Sequence, residues 1–282
     1  MNKFFLLLFA LIITSCSKEP VKVDFSRNFD YMQPSYFLFE SDFRFEPTKL
    51  AKESGNYRQG DNYICNVAYA DFNSDGYVDV IYAKGNNTID RHPVEIYLND
   101  GDNLNFTHDE NLISNNIGGE TVRKSIIGDF NGDKKPDVFF ADHGAEPPGA
   151  NQYLGAEQSI LISSGNGYEF KIINQIPKEF NHGACSGDFD NDGDLDIFTS
   201  TGHFLINDGN ANFTLSDEIF KSETVGIFTV EMIDINNDGF LDLITGGHSF
   251  ESHDMKGPTI YFGNGVNFSD DRSYILKDIP SW

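Results

Sequence analysis

Short apolar runs recur along this chain in pairs, and the two runs of each pair are separated by a polar stretch of nine residues. The polar stretches begin at residues 71, 129, 188 and 234. The runs before them are residues 67–70, 125–128, 184–187 and 230–233, and the runs after them are residues 80–82, 138–140, 197–199 and 243–245. Short runs with many β-branched and aromatic residues are typical of β-strands. Each polar stretch is therefore predicted to lie at the tip of a β-hairpin.

A second hairpin signal follows each polar stretch. It combines an apolar run, a glycine-containing turn and a phenylalanine, and it occurs at residues 95–106, 160–170, 204–213 and 260–268. Each repeat thus contains four predicted strands, and the repeats start 58, 59 and 46 residues apart, close to the length of one four-stranded propeller blade. The sequence predicts an all-β protein, a β-propeller, with blades at about residues 64–115, 122–178, 182–221 and 226–278.

The polar stretches have the composition of calcium loops. The third, Asp188–Asp196, places carboxylates at positions one, three, five and nine and a glycine, Gly193, at position six. Calcium takes about six to eight oxygen ligands, so a short turn must aim several carboxylates at one point, and alternate positions do this. Glycine allows the backbone angles of the turn, so that the carbonyl group of Asp194 and the carboxylate of Asp196 can close the shell.

The spacing excludes an EF-hand. An EF-hand loop keeps a bidentate acid at position twelve and lies between two helices. Position twelve of the four stretches is Tyr82, Phe140, Thr199 and Thr245, none of which is acidic. The stretches therefore belong to another class of calcium loop.

The Asp-x-Asn/Asp-x-Asp-Gly-x-x-Asp hairpin, followed by an apolar strand and an Asn-Asp-Gly-x-x-x-Phe turn, resembles the FG-GAP/VCBS repeats of integrin-α-like β-propellers over about residues 64–276. The resemblance implies calcium as the cofactor, bound by the side chains at loop positions one, three, five and nine and by the main-chain carbonyl group at position seven. The implied ligand residues are Asp71, Asn73, Asp75, Tyr77, Asp79, Asp129, Asn131, Asp133, Lys135, Asp137, Asp188, Asp190, Asp192, Asp194, Asp196, Asp234, Asn236, Asp238, Phe240 and Asp242.

Two departures from the family pattern lead to further expectations. The second loop carries Lys134 where its siblings carry the turn glycine, so its site is predicted to be the weakest. Integrin-like propellers have seven blades, whereas four repeats are recognisable here. We expect these four to be part of a larger ring rather than a small closed one, since an open arc would leave strand edges unpaired.

The first residues predict export. Residues 1–15 combine a basic start with the apolar run Phe4–Ile13, which is the pattern of a secretion signal and is too short to span a bilayer. Ile13-Thr-Ser-Cys16 resembles a bacterial lipobox, which implies lipidation of Cys16, a tether over residues 16–23 and a surface-exposed outer-membrane lipoprotein. Ordinary cleavage to a secreted soluble protein is the alternative.

Residues 24–63 carry no calcium loop. Toward the end of residues 36–45, aromatic and polar residues alternate, which is typical of a strand. We predict a strand pair here, either the outer half of a blade or a linker packed on the first blade.

The charge of the chain limits its partners. The formal net charge is −24, and the four loops hold 14 of the 44 Asp and Glu residues. Nucleic acid demands a basic surface, so it is excluded as a partner. Anionic lipid is also disfavoured, and contact with a membrane is expected only through the lipid anchor.

Ligand binding is predicted on the face opposite the calcium loops. In a propeller the turns within the two hairpins of a blade share one face, and the remaining connections share the other. Variable loops on a rigid scaffold are where binding usually resides. Candidates there combine imidazole, carboxylate and aromatic groups: His143, Glu146, Tyr153, His248 and Glu251. They suit a glycan or a protein ligand at the cell surface.

An enzyme is the alternative, for example a polysaccharide lyase or hydrolase with His143 or His248 as general base. The sequence contains no nucleophile elbow, no HExxH motif and no spaced acid–base pair, so we expect a binding module rather than an enzyme. The histidine spacing also disfavours a transition-metal site. For each histidine, a structural role as a hydrogen-bond partner of a backbone carbonyl stays open.

Overall fold

The structure, a computed structural model, describes residues 66–85, 89–101, 105–145, 155–221, 227–247 and 257–276. The predicted secretion signal, the lipidation site Cys16 and the strand pair predicted within residues 24–63 lie outside these ranges. Within the ranges, every regular element is a β-strand except one 3-10 turn at Asp270–Arg272. The described part of the chain is all-β, as the apolar pattern predicts.

The strands form three four-stranded sheets, one five-stranded sheet and one two-stranded sheet. The first four of these sheets each contain a four-stranded antiparallel unit, and we call these units blades 1 to 4 in chain order. Blade 1 contains β1 (Asn66–Ala70), β2 (Asp79–Ala83), β3 (Glu95–Asn99) and β4 (Phe106–His108). Blade 2 follows β5 (Ile113–Ser114) and contains β6 (Val122–Gly128), β7 (Asp137–Asp142), β8 (Ser159–Ser164) and β9 (Gly167–Ile172). Blade 3 contains β10 (Ala184–Gly187), β11 (Asp196–Thr199), β12 (Phe204–Asn207) and β13 (Phe213–Ser216), and β14 (Phe220–Lys221) comes after it. Blade 4 contains β15 (Ile227–Ile233), β16 (Asp242–Gly247), β17 (Thr259–Tyr261) and β19 (Ser273–Ile275), with β18 (Phe268–Ser269) before the last strand.

Each blade is an antiparallel meander. In blade 4 the last two strands of the meander are β17 and β19, because β18 lies outside this sheet. The first hairpin of blade 1 pairs Ala70 with Asp79, and that of blade 2 pairs Gly128 with Asp137. The polar stretches therefore lie at hairpin tips, as predicted. The prediction of an all-β fold built from four-stranded, propeller-like blades is confirmed.

Two connections between blades contain a short parallel strand. β5 leaves blade 1 and pairs in parallel with β9, the outer strand of blade 2, so that it covers an edge that would otherwise present unpaired backbone groups. β14 leaves blade 3 and pairs in parallel with β18, and these two strands form a separate two-stranded sheet.

The apolar core lies between neighbouring blades. One cluster joins blades 1 and 2, for example through Ile96 and Leu161, and a second joins blades 2 and 3 through Phe139 and Leu205. A third joins blades 3 and 4. Because the inner blades are covered on both faces, their strands are apolar at successive positions rather than alternately; all six residues of β7 are buried.

The second residue of each polar stretch also lies between two blades. In blades 1 to 3 it is phenylalanine, and Phe72, Phe130 and Phe189 are all buried. Their rings contact Tyr168, Phe213 and Phe268 of the next blade, with centroid distances of 5.7, 6.1 and 5.3 Å. In blade 4 this position is Ile235, which is 44% exposed.

Candidate metal loops and the opposite face

The four polar stretches share one backbone shape. Positions four and six both have positive φ: Ser74 and Gly76 in the first loop have 61° and 89°, and Asn191 and Gly193 in the third have 60° and 99°. The second loop keeps this shape with Gly132 at position four, at 75°, and Lys134 at position six, at 67°. The sequence departure at Lys134 therefore leaves the turn unchanged but places a residue with a Cβ in the left-handed region, at a cost of about 1–2 kcal/mol.

Hydrogen bonds inside each loop draw the odd-numbered side chains to one side. In the first loop, Asp71 accepts the N–H groups of Asp75 and Gly76 at 3.0 and 2.8 Å, and Asn73 accepts the N–H of Asp75 at 3.0 Å. Asp75 in turn accepts the N–H of Tyr77 at 2.8 Å. Equivalent bonds recur in the second and fourth loops. Side chains at positions one, three and five thus converge, as a calcium loop requires.

The carboxylate at position nine joins the two hairpins of its blade. Asp79 is fully buried and accepts the N–H of Phe72 within the loop and the N–H of Asn99 at the end of β3, both at 2.8 Å. Asp137, Asp196 and Asp242 make the same pair of bonds in the other blades. Burial raises the pKa of Asp79 and Asp137 to about 6 and that of Asp196 to about 7, although the backbone amides partly offset it.

The third loop has the strongest character of a cation site. Carboxylate oxygens of Asp188, Asp190 and Asp192 lie within 4.8 Å of one another. Asp188 Oδ1 is buried and accepts no hydrogen bond. Burial, followed by the charge of Asp192, raises the pKa of Asp190. Three converging carboxylates, one of which has a buried oxygen without a hydrogen bond, fit a hard cation that prefers oxygen ligands. Calcium is such a cation.

The first and fourth loops differ from the third because they carry asparagine instead of aspartate at position three. Asn73 donates its Nδ2 to Asp75 Oδ2 at 2.9 Å, and Asn236 donates to Asp238 in the same way at 3.0 Å. Each of these bonds occupies a carboxylate oxygen that could otherwise bind a cation. The third loop has Asp190 at this position, which offers no such donor when ionised.

The structure also shows what the position-seven side chains do. Tyr77 lies over Gly101 of the second hairpin, where a Cβ would come within 2.3 Å of the ring. Asp194 and Phe240 lie in the same way over Gly209 and Gly265. Lys135 in the second loop instead donates to the carbonyl oxygen of Gly165 at 2.7 Å. Sequence reasoning missed this packing, although the glycine in each second hairpin is its signal.

A buried polar network lies at the opposite end of the blades, where β7 ends. Asp142, Gln158 and Asn181 are fully buried. Gln158 accepts the N–H of Asp142 at 2.8 Å and the Nδ2 of Asn181 at 3.1 Å, and it donates to the carbonyl oxygen of Asp142 at 3.0 Å. Asn181 Oδ1 accepts the N–H and the hydroxyl of Ser200 at 3.2 and 3.0 Å. Buried polar groups are costly unless bonded, and a satisfied network holds its members rigidly.

The carboxylate of Asp142 extends this network to the connection between blades 1 and 2. It accepts three backbone N–H groups, from Glu120, Thr121 and Gly144, at 2.7, 2.8 and 3.0 Å. Sequence reasoning missed the network because its members are spread from residue 120 to residue 200. Their pairing depends on how the blades stack and not on local spacing.

Of the five predicted ligand-binding residues, only His143 lies in the described part of the chain. It is 2% exposed, its Nδ1 lies 3.2 Å from the carbonyl oxygen of Gly144, and its ring packs against Phe180 and His182. Glu146, Tyr153, His248 and Glu251 lie outside the described residues. The proximity of these four side chains to His143 therefore stays a prediction.

His203, on the same face, contacts two carboxylates. Its Nδ1 lies 2.8 Å from Asp217 and its Nε2 lies 2.8 Å from Glu179. Both ring nitrogens can donate only in the imidazolium form. The bond to Glu179, and then that to Asp217, raise the pKa of His203. This histidine thus ties the connection between blades 2 and 3 to the end of blade 3.

Comparison with known protein families identifies the repeats independently of the structure. The model of the FG-GAP-like repeat matches residues 71–140, 129–199 and 188–245, and these matches together span more than half of the chain. A search of the curated proteins found no match.

Each match begins at one polar loop and ends in or directly after the strand that follows the next loop. FG-GAP repeats commonly bind calcium, are typical of extracellular proteins and suggest a propeller-like adhesion or binding module. In the described ranges, no helix has the length and apolar character needed to cross a membrane. The chain belongs to the family of FG-GAP-like repeat proteins.

Proposed function

We propose that this protein is a calcium-stabilised binding or adhesion module of the bacterial cell surface, anchored through a lipid on Cys16 and directed at glycan or protein ligands. The observation that carries the proposal is the cluster of Asp188, Asp190 and Asp192, with its orphaned buried oxygen, in a chain of FG-GAP-like repeats. The groups that would hold the ions are the side chains at loop positions one, three, five and nine and the main-chain carbonyl group at position seven.

Calcium has a structural role in this proposal. Each loop joins the first two strands of a blade, and its position-nine carboxylate bonds to the third strand. An ion bound by positions one, three and five would hold the hairpin tip against the position-nine carboxylate. Without the ion, the loop carboxylates repel one another.

The opposite face supports ligand binding in the same proposal. The network of Asp142, Gln158 and Asn181 holds the connections of blades 1 to 3 in place. Binding residues need such a fixed support, because a loosely held side chain loses affinity through its own ordering.

The test is thermal unfolding of residues 17–282 in calcium and in excess chelator, with bound calcium counted by native mass spectrometry. We expect a sharp transition in calcium, several bound ions and a large loss of thermal stability on chelation. An identical transition in both conditions, or the absence of bound calcium, would refute the structural role. Magnesium at equal concentration is the control, because it prefers to keep its water ligands.

Ligand binding is tested separately on a glycan array and with labelled surface extracts, with the calcium-loaded protein. Binding without turnover supports a binding module, whereas release of a shortened product supports the enzymatic alternative. Anchoring is tested with Cys16→Ala: the variant should leave the membrane fraction, while the matched variant Cys185→Ala, at a buried free thiol, should stay in it.

A further inference from the structure

One group of side chains gathers where the first strands of blades 2, 3 and 4 begin, at the end remote from the calcium loops. We call it the axial cluster; it consists of Arg123, His143, Phe180, His182 and Phe228. Arg123 is the second residue of β6, His182 comes two residues before β10, and Phe228 is the second residue of β15. Lys124 of β6 forms an ion pair with Glu231 of β15, so the inner strands of blades 2 and 4 approach each other beside the cluster.

The rings of the cluster are in direct contact. The ring centroids of His143 and His182 lie 4.4 Å apart, those of His182 and Phe228 lie 4.0 Å apart, and those of His143 and Phe180 lie 4.8 Å apart. A Cβ at Gly183 would come within 2.7 Å of the carbonyl oxygen of Phe228, so this glycine lets blades 3 and 4 come close. His143 is buried behind His182, while Arg123, Phe180, His182 and Phe228 are partly exposed.

The buried polar network supports both histidines directly. His143 follows Asp142 and His182 follows Asn181, and both of these neighbours are fully buried members of the network. Ser200 Oγ accepts the backbone N–H of His182 at 3.0 Å and that of Gly183 at 3.2 Å. The backbone that carries the two imidazoles is therefore fixed before any ligand arrives, which is the condition for a precise binding site.

The chemistry of the cluster contrasts with the rest of the molecule. The formal net charge of the chain is −24, yet the five side chains of the cluster are a guanidinium, two imidazoles and two phenyl rings. Burial, followed by the nearby His143 and Arg123, lowers the pKa of His182 to about 4. At neutral pH His182 is therefore uncharged, with one ring nitrogen able to donate and the other able to accept. Arg123 supplies the permanent positive charge.

This arrangement points to a ligand with three features. A guanidinium recognises a carboxylate through paired hydrogen bonds. A neutral imidazole suits a hydroxyl group, which can both donate and accept. Phenyl rings present an apolar face that can cover the C–H face of a sugar ring. A carboxylate-bearing sugar combines all three, whereas an acidic peptide side chain offers the carboxylate without the hydroxyl group or the ring face.

We propose that the axial cluster binds a uronate unit of an acidic glycan, with Arg123 on the carboxylate, His182 on a hydroxyl group and Phe228 against the sugar ring. His143 is a positioning residue that holds His182. This inference rests on the proposed function as a binding module and names the class of its ligand.

The test measures binding of the calcium-loaded full chain to uronate oligosaccharides by calorimetry, with the same oligosaccharides after reduction of their carboxyl groups as the ligand-side control. We expect wild type to bind the acidic form at least about tenfold more tightly, as a lost charged hydrogen-bond pair implies. Equal affinity for acidic and reduced oligosaccharides, or no binding of any uronate, overturns the inference. This comparison needs no variant and is therefore independent of folding defects.

Variants then locate the site. Arg123→Gln should lose about tenfold in affinity for the acidic form and should bind the reduced form as wild type does, whereas Lys171→Gln, the same charge change on the outer strand β9, should bind both forms as wild type does. His182→Ala should weaken both forms. Unfolding curves in calcium confirm that each variant is folded.

The outcomes separate this inference from the proposed function. Uronate binding that Arg123→Gln leaves unchanged, or competition by a glutamate-rich peptide as strong as that by the oligosaccharide, overturns the axial site and leaves the binding module standing. Absence of any ligand on arrays overturns both.

Discussion

Lys134 shows how a single residue adapts to the shape of its loop. In the first, third and fourth loops position six is glycine, whereas Lys134 adopts the same left-handed conformation with φ of 67°. Gly132, at position four of the same loop, also has positive φ, at 75°. The second loop thus keeps one glycine in its turn, but at the other of its two left-handed positions.

Replacement of this lysine by glycine should stabilise the protein. Lys134→Gly removes the left-handed strain, and we expect a gain of about 1 kcal/mol in the free energy of unfolding. The matched change is Gly193→Lys in the third loop, where a Cβ would meet no atom within 4 Å and only the conformational cost remains. Chemical denaturation in saturating calcium measures both. If the Lys134→Gly protein were less stable than wild type, Lys134 would not be strained at its positive φ.

Under the proposed role of calcium, the loops should also differ in how much their stability depends on the ion. Asp188 belongs to the three-carboxylate cluster, while Asp129 stands in a loop with asparagine at position three and lysine at position six. We expect Asp188→Ala to cost about 3 kcal/mol in calcium at about a hundredfold excess over its dissociation constant, and Asp129→Ala to cost less. In chelator, Asp188→Ala should be at least as stable as wild type, because it relieves repulsion. Equal costs at both sites would contradict this ranking.

At the scale of elements, connections between blades are held by specific polar bonds. The bridge of His203 to Glu179 and Asp217 joins the segment before blade 3 to the segment after it. Since its folded pKa is raised above the unfolded value of about 6.5, the bridge contributes its full stability below that unfolded value. The contribution is lost as pH rises through the folded pKa.

This sign gives a pH-dependent prediction. The difference in unfolding free energy between wild type and His203→Gln should be largest near pH 6 and should shrink as the pH is raised above the folded pKa. Denaturation curves of both proteins across this interval measure it. His108→Gln, at an exposed histidine stacked on Tyr97, serves as the matched control. A difference that grows with pH would contradict an imidazolium bridge.

The strands and loops could be predicted from sequence, but much of the bonding between them could not. The spacing of apolar residues and the turn residues are local signals. The hairpins around residues 71, 129, 188 and 234 could therefore be predicted from short stretches of sequence. Asp79 was recognisable as a candidate ligand, but its bond to Asn99 depends on strand pairing across 20 residues. Gln158 and Asn181 come together only when blades 2 and 3 pack. Their hydrogen bond therefore could not be predicted from a local sequence pattern.

At the scale of the whole molecule, stability comes from blade-on-blade packing. Each of the three apolar clusters contains side chains from two consecutive blades. The loop phenylalanines contribute to the same contacts. Their exposed counterpart, Ile235, marks the one blade in the described part of the chain whose loop meets no following blade.

This difference predicts unequal costs at one loop position. Phe130→Ala removes a buried ring between blades 2 and 3, and we expect a loss of about 3–5 kcal/mol. Ile235→Ala changes the same position in blade 4, and we expect a loss of only about 1 kcal/mol or less because this side chain is 44% exposed. Thermal and chemical unfolding in calcium compare them. Similar losses for both would show that Ile235 is covered in solution.

The pairwise clusters have a consequence for how the molecule comes apart. Since each apolar cluster among the described residues joins only two consecutive blades, stability is expected to behave as a linear sum of blade and interface contributions, as in repeat proteins. Blades 2 and 3 take part in two described interfaces each, and blades 1 and 4 in one. Among the four described blades, we therefore expect opening to start at blades 1 and 4, so that backbone amide protons of β7 and β11 exchange with solvent more slowly than those of β2 and β16.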